Sequence, residues 1–197
     1  MRYCLGALAL LTAAIAYAQS QLPMHEFGVT WSRDVPTVSF SAIHLADESV
    51  RQELSSGLRK RIVVTVRSHL KGSGSQISVR QFGCDVTRDL WDEGYLVRIG
   101  TRSERFKTLE QVLGRCLVVE RLFVGEPLQY ERYRRSEIYF AVLAEFNPIS
   151  KKQCRELIRP TSGDDAIGPI TVNIVRRRIC RAERTVEFRS QDLKVPE

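Results

Sequence analysis

Residues 59–68 read Arg59-Lys60-Arg61-Ile62-Val63-Val64-Thr65-Val66-Arg67-Ser68. Arg59, Arg61, Val63, Thr65 and Arg67 alternate with Lys60, Ile62, Val64, Val66 and Ser68. A strand sends successive side chains to opposite faces, so Ile62, Val64 and Val66 are expected to face a core and the arginines to face water. The stretch Lys71-Gly72-Ser73-Gly74-Ser75-Gln76 follows, and its glycines suit a hairpin loop. Ile77 to Val86 then returns as a second strand. Trp91 to Gly94 turns the chain again, and Tyr95, Val97 and Ile99 form a third strand. Three consecutive strands with short turns make an antiparallel meander.

The same patterns extend outward. Val38, Phe40 and Ala42 alternate with Thr37, Ser39 and Ser41, which predicts a strand over 37–44. Asp47 can cap a helical turn over Glu48–Ser55, with Gly57 stopping it. Residues 19–35 carry no clear period and read as an extended N-terminal arm. Downstream, Thr108-Leu109-Glu110-Gln111 is a capping box, in which the Thr hydroxyl and the Gln side chain satisfy free amides at a helix start. Leu109, Val112, Leu113, Cys116, Leu117 and Glu120 follow at helical spacing until Gly125 and Pro127 break the pattern. Tyr130 to Arg135 is polar and Arg-rich. Ile138, Phe140, Val142, Ala144 and Phe146 alternate through another strand that ends at Pro148. Ser150-Lys151-Lys152-Gln153 repeats the capping pattern before a short helix to Arg159, which Pro160 stops. A loop over 160–168 follows. Ile170, Val172 and Ile174 fit a strand, and a helix through Ile179 fits nearly as well; Val186 and Phe188 mark a last strand. The chain has no internal repeat and no linker rich in Pro, Gly or Ser. The expected fold is therefore mainly β: an antiparallel β-sandwich of about seven strands with two short helices, in one domain over 36–197. An α+β description stays open.

The first residues have a different character. Met1-Arg2, an apolar run from Cys4 to Ile15 and Ala16-Tyr17-Ala18 are the three parts of a secretory signal. The run is shorter than the roughly 20 residues that span a bilayer, so cleavage after Ala18 is expected rather than anchoring. No later stretch is long and apolar enough to cross a membrane. The expected compartment is periplasmic or extracellular. Arg2 is the one charge in residues 1–18, so the remainder carries 29 Lys and Arg against 23 Asp and Glu, a net charge of +6. An exported basic chain meets anionic headgroups, acidic polysaccharide or an acidic partner rather than nucleic acid.

Cys84, Cys116, Cys154 and Cys180 remain after cleavage. An even number in an exported chain predicts disulfides. Their spacing contains no C-x-x-C for zinc or thiol exchange. Three pairings are open, and the neighbour-to-neighbour one, Cys84–Cys116 with Cys154–Cys180, is preferred.

No catalytic residue, metal site or cofactor is expected. His25, His44 and His69 lack metal-ligand spacing, and the chain has neither a G-x-S-x-G elbow nor a Walker loop. Gly72-Ser73-Gly74 sits between two strands, without the helix N-terminus that binds an anion. Asp89-Leu90-Trp91-Asp92-Glu93 and Asp164-Asp165 read as turn chemistry, although loop carboxylates can also hold calcium or act in pairs on glycosides. The basic clusters are Arg59-Lys60-Arg61; Arg132, Arg134 and Arg135, interleaved with Tyr130 and Tyr133; and Arg176, Arg177 and Arg178 with Arg181. Guanidinium groups grip carboxylate and phosphate in a two-pronged geometry, so the last two clusters are the anion-binding candidates.

The stretch from Cys84 to Ile99, with Ser56-Gly57-Leu58 before it, resembles a domain-of-unknown-function family of uncharacterised bacterial envelope proteins. In that pattern a Ser-Gly-Leu segment precedes a strand, a polar-aromatic turn and a Tyr-x-Val strand. The resemblance covers about residues 36–100. It implies an envelope location and carries over no activity and no site residue. Three functions follow as expectations. The first is a non-catalytic envelope protein that binds a partner, or assists an assembly, through strand edges or an Arg-rich face. The second is a peripheral module on anionic lipid or polysaccharide. The third is a hydrolase built from scattered carboxylates.

Overall fold

Ile62, Val64 and Val66 are almost wholly removed from solvent, as the alternation around them requires. They belong to β3 (Lys60–Leu70), the central strand of the larger of two sheets. The computed structural model describes residues 22–149, 154 and 181–197. The expected secretory signal over 1–18, the expected helix from Ser150 (of which Cys154 alone is described, and is helical), the expected loop over 160–168 and the segment over 170–182 up to Cys180 lie outside the described residues, as do Arg176, Arg177 and Arg178.

β3 hairpins into β4 (Gln76–Asp89), which pairs with β5 (Gly94–Ile99), which pairs with β6 (Arg102–Phe106). Gly72 and Gly74 take positive φ in the first hairpin, so their lack of a Cβ is used there. The other edge of β3 carries β8 (Glu137–Phe146), whose far edge is shared by β9 (Arg184–Arg189) and β10 (Leu193–Lys194). The second sheet has the order β1 (Gly28–Ser32), β2 (Val35–Ser41), β7 (Val118–Phe123). All these strand pairs are antiparallel. The fold is mainly β and sandwich-like, as the sequence predicts.

Between the layers, Phe27 stacks on Phe40 at 5.0 Å and meets the edge of Phe188 at 5.8 Å, which ties the small sheet to β9. Val38, Val64, Phe140 and Val142 complete this part of the core. Helices whose bounds fall among the described residues pack at the sides: α1 (Glu48–Leu54), α2 (Leu109–Leu117) and α3 (Pro127–Glu131). Asp47 Oδ1 accepts from the Val50 amide at 3.0 Å, the expected cap. Thr108 and Gln111 form the expected capping box. The stripe Val112, Leu113, Cys116 and Leu117 is buried, and Cys116 is bonded to Cys84 of β4 with 5.9 Å between Cα atoms. The preferred pairing of these two is therefore present.

Three departures from the sequence reading concern β1, β7 and β6. The second half of the expected arm is strand β1, joined to β2 by Arg33 and Asp34, both at positive φ. That hairpin turn usually advertises itself with Gly or Asn. The stripe expected to run on to Glu120 stops at Leu117, and the chain enters β7 without a break. β6 joins as a polar edge strand in which no residue is buried.

Candidate functional site

Among the described residues, the β4–β5 hairpin carries the most exposed large hydrophobic side chain. Asp89 pairs with Gly94 in the last rung, leaving Leu90, Trp91, Asp92 and Glu93 as the loop. Asp89 Oδ1 accepts from the amides of Trp91 at 3.1 Å and Asp92 at 3.3 Å, an Asx turn that fixes the loop's backbone. Arg105 of β6 donates to Asp92 at 2.7 Å and lies 3.8 Å from Asp89, clamping the loop from the neighbouring strand. On the other side, Arg88 donates to the Ser55 carbonyl at 3.2 Å, and Tyr95 Oη lies 3.2 Å from Ser55 Oγ. The C-terminal end of α1 thus braces the base of the hairpin. Gly57, at positive φ, sits beneath Leu90; a Cβ there would lie 3.1 Å from Leu90 Cδ1.

On this braced loop Trp91 is 96 % exposed, and Leu90 next to it is about two-thirds exposed, as is Leu58. Scattered exposed leucines are ordinary, but tryptophan is highly buried on average. Its indole is also the side chain most often found at the energetic centre of protein contacts. Asp89, Asp92 and Glu93 rim the tip with carboxylates. A shallow depression of about 250 Å³ runs below them past Leu96, Arg105 and Lys107. The sequence marks this segment as a turn without singling out Trp91. The signal was present, since an indole between acidic turn residues has no core to enter.

Each predicted anion-binding arginine that falls among the described residues has a contact of its own. Arg132 lies over the Tyr133 ring at 5.8 Å. Arg134 is 3.6 Å from Asp34, and Arg135 is 3.0 Å from Glu197. A different basic group is assembled by the sheet. Arg61, Asp85 and Arg98 stand in one cross-strand rung of β3, β4 and β5. Asp85 Oδ2 accepts from Arg59 at 2.7 Å and from Arg98 at 3.2 Å, and Arg61 Nε lies 3.9 Å from Oδ1. Burial pushes the Asp85 carboxyl up. The hydrogen bonds from Arg59 and Arg98, with the charges of Arg59 and Arg61, outweigh that and hold it below its usual range. Lys60 turns to the other face and pairs with Glu53 at 2.5 Å.

The histidines have ring partners. His25 stacks on Phe188 at 4.5 Å and meets His44 edge-on. His69 stacks on Tyr139 at 5.3 Å, with Nδ1 2.9 Å from the Gly74 carbonyl. Among the described residues, no three His, Cys, Asp or Glu side chains converge as a metal site, and no helix is long and apolar enough to cross a membrane. Cys154 is buried and disulfide-bonded. Glu145 on β8 is a half-buried carboxylate. Burial raises its pKa, Arg67 opposes the rise and Glu187 adds to it. Comparison with family models, with curated proteins and with solved structures finds no match for this chain.

Proposed function

We propose that this chain is an exported, non-catalytic binding protein of the bacterial envelope, which grips another protein with the tip of its β4–β5 hairpin. The observation that carries the reading is Trp91, 96 % exposed on a loop held by Asp89 and Arg105. A large apolar ring on a pre-ordered backbone loses little conformational entropy when it enters a pocket, so more of its buried area appears as affinity. The carboxylates of Asp89, Asp92 and Glu93 around it disfavour an anionic membrane and favour a partner pocket with a basic rim.

The test is site-specific photo-crosslinking in the intact host. p-Benzoylphenylalanine is placed at position 91 and, as the control, at Ser73 in the β3–β4 loop. A discrete heavier adduct from position 91, absent from position 73 and lost when Leu90 is also changed to Ser, is the expected result. An adduct of twice the chain's mass would identify a second copy as the partner. No adduct from position 91, or the same adducts from both positions, overturns the reading.

A further inference from the structure

We infer that Arg59, Arg61 and Arg98 form a docking site for an extended acidic peptide segment, presented by the partner alongside its contact with the hairpin. The inference rests on the preceding reading in taking the partner to be a protein that also contacts the hairpin.

Three guanidinium groups surround one carboxylate, so the group around Asp85 carries two unbalanced positive charges. Their side chains are exposed: 55 % for Arg59, 60 % for Arg61 and 48 % for Arg98. Arg59 and Arg98 each spend one N–H on Asp85. Arg61 makes an ion pair at 3.9 Å, and among the described residues its side chain makes no hydrogen bond. A Cβ at Gly83 would lie 3.5 Å from Arg61 Nε and Nη2, which places the guanidinium beside a residue with no side chain. A guanidinium carries five N–H donors, more than one ion pair with Asp85 uses, so Arg61 can also take a second carboxylate.

Geometry selects an extended peptide. Arg59 and Arg61 are two residues apart, roughly 6–7 Å along an extended chain, which is also the spacing of same-face side chains on an extended acidic segment. Arg98 lies two strands from Arg61, about 9–10 Å across the sheet, and offers a third contact beside that line. Asp85 and Asp89 are on the same face of β4, roughly 13 Å apart, so a partner seated on Trp91 reaches the arginines within one interface. Asp89, Asp92 and Glu93 at that end of the face repel an anionic bilayer.

The probe is a fluorescein-labelled ten-residue peptide of alternating Glu and Thr, titrated with the full chain in low-salt buffer and followed by anisotropy. Saturable binding is expected, weakened at least tenfold in the triple variant R59Q/R61Q/R98Q and by less than twofold in R132Q/R134Q/R135Q. The triple variant leaves Asp85 without partners and is open to misfolding, so Arg61→Gln alone is the companion; it breaks no hydrogen bond and should still weaken binding about threefold. No binding, equal losses in the two triple variants, or an unchanged Arg61→Gln overturns the inference. So does tighter binding of dextran sulfate or of phosphatidylglycerol vesicles through the same arginines. Trp91→Ala should leave the peptide affinity unchanged. Failure at position 91 in the crosslinking experiment and failure of peptide binding are thereby read separately.

Discussion

The Tyr130 hydroxyl lies 2.7 Å from Ser78 Oγ inside the protein, with neither residue meaningfully exposed. Tyr130 also meets Ser68 Oγ at 2.9 Å and the Val124 carbonyl at 2.8 Å, and the two serines are 2.7 Å apart. This closed network pins α3 and the β7–α3 turn to the hairpin end of β3 and β4. Burial raises the phenol's pKa, against the pull of the two serine hydroxyls, so the neutral form is the one that bonds. Removing one member strands the rest, and a buried polar group without a partner costs about 1–3 kcal/mol. Tyr130→Phe should therefore destabilise the chain by that amount in urea unfolding, with an unchanged m-value. Tyr130→Phe and Ser78→Ala should be clearly non-additive, because they act on one network. Additive losses would show that the hydroxyls act independently.

The Cys84–Cys116 bridge closes a loop with a sequence separation of 32 and joins α2 to the sheet. A loop of that size is worth roughly 3–4 kcal/mol in the chain-entropy picture. The double variant C84A/C116A should lose about that much, more than either substitution costs as simple trimming of a small buried side chain. Non-reducing peptide mapping should also join Cys154 to Cys180, the second half of the preferred pairing. Detection of a Cys84–Cys154 or Cys116–Cys180 peptide would refute it.

Where one face of an element is buried, its sequence announces it. In β8, Ile138, Phe140, Val142, Ala144 and Phe146 are buried and the residues between them are not, so the period of two is plain in the letters. Asp47 and Thr108 mark helix starts because a cap is a local hydrogen bond. Other elements owe their state to pairing. β6 buries no residue, so Arg102–Phe106 has no apolar alternation to read; its partner β5 makes it a strand. β1 depends on a turn whose two residues, Arg33 and Asp34, are rarely at positive φ. The site follows the same division. The run Arg59-Lys60-Arg61 is visible as a charge cluster, but that Arg98 joins it while Lys60 leaves it is a matter of register. Trp91 has the composition of a core residue, and only its place at a hairpin tip puts it in water.

Two carboxylates should give opposite pH signatures. Asp85 is held below its ordinary value of 3.8, because its arginine partners outweigh the effect of burial. Its contribution is therefore fully present above that value and lost as pH falls through the lower, native one. Asp85→Asn should lower the melting temperature at pH 7, and the gap to the parent should close in acid below about pH 4. Glu145 is raised above its ordinary value of 4.5, first by burial and then by Glu187, against the pull of Arg67. Between the ordinary and the raised value the native state holds more proton than the unfolded one, so stability falls as pH rises through that window. Glu145→Gln should accordingly raise the melting temperature at pH 7 and leave it unchanged below about pH 4. The same sign of pH dependence from both variants would contradict these environments.

Trp91 and Trp31 should be separable by light. Trp31 is partly buried and meets the Tyr130 ring edge-on at 5.6 Å, whereas Trp91 is 96 % exposed. Acrylamide should therefore quench two populations, and Trp91→Ala should remove the accessible, red-shifted one. Because the indole contributes little to the core, the same substitution should change unfolding free energy by no more than about 0.5 kcal/mol. Asp89→Ala, by contrast, frees the amides of Trp91 and Asp92 from their shared acceptor and should speed their hydrogen exchange while leaving the indole as exposed as before. A loss of more than about 1 kcal/mol on removing Trp91 would mean that the ring packs against the protein. It would then be part of the fold and not a contact held out for a partner.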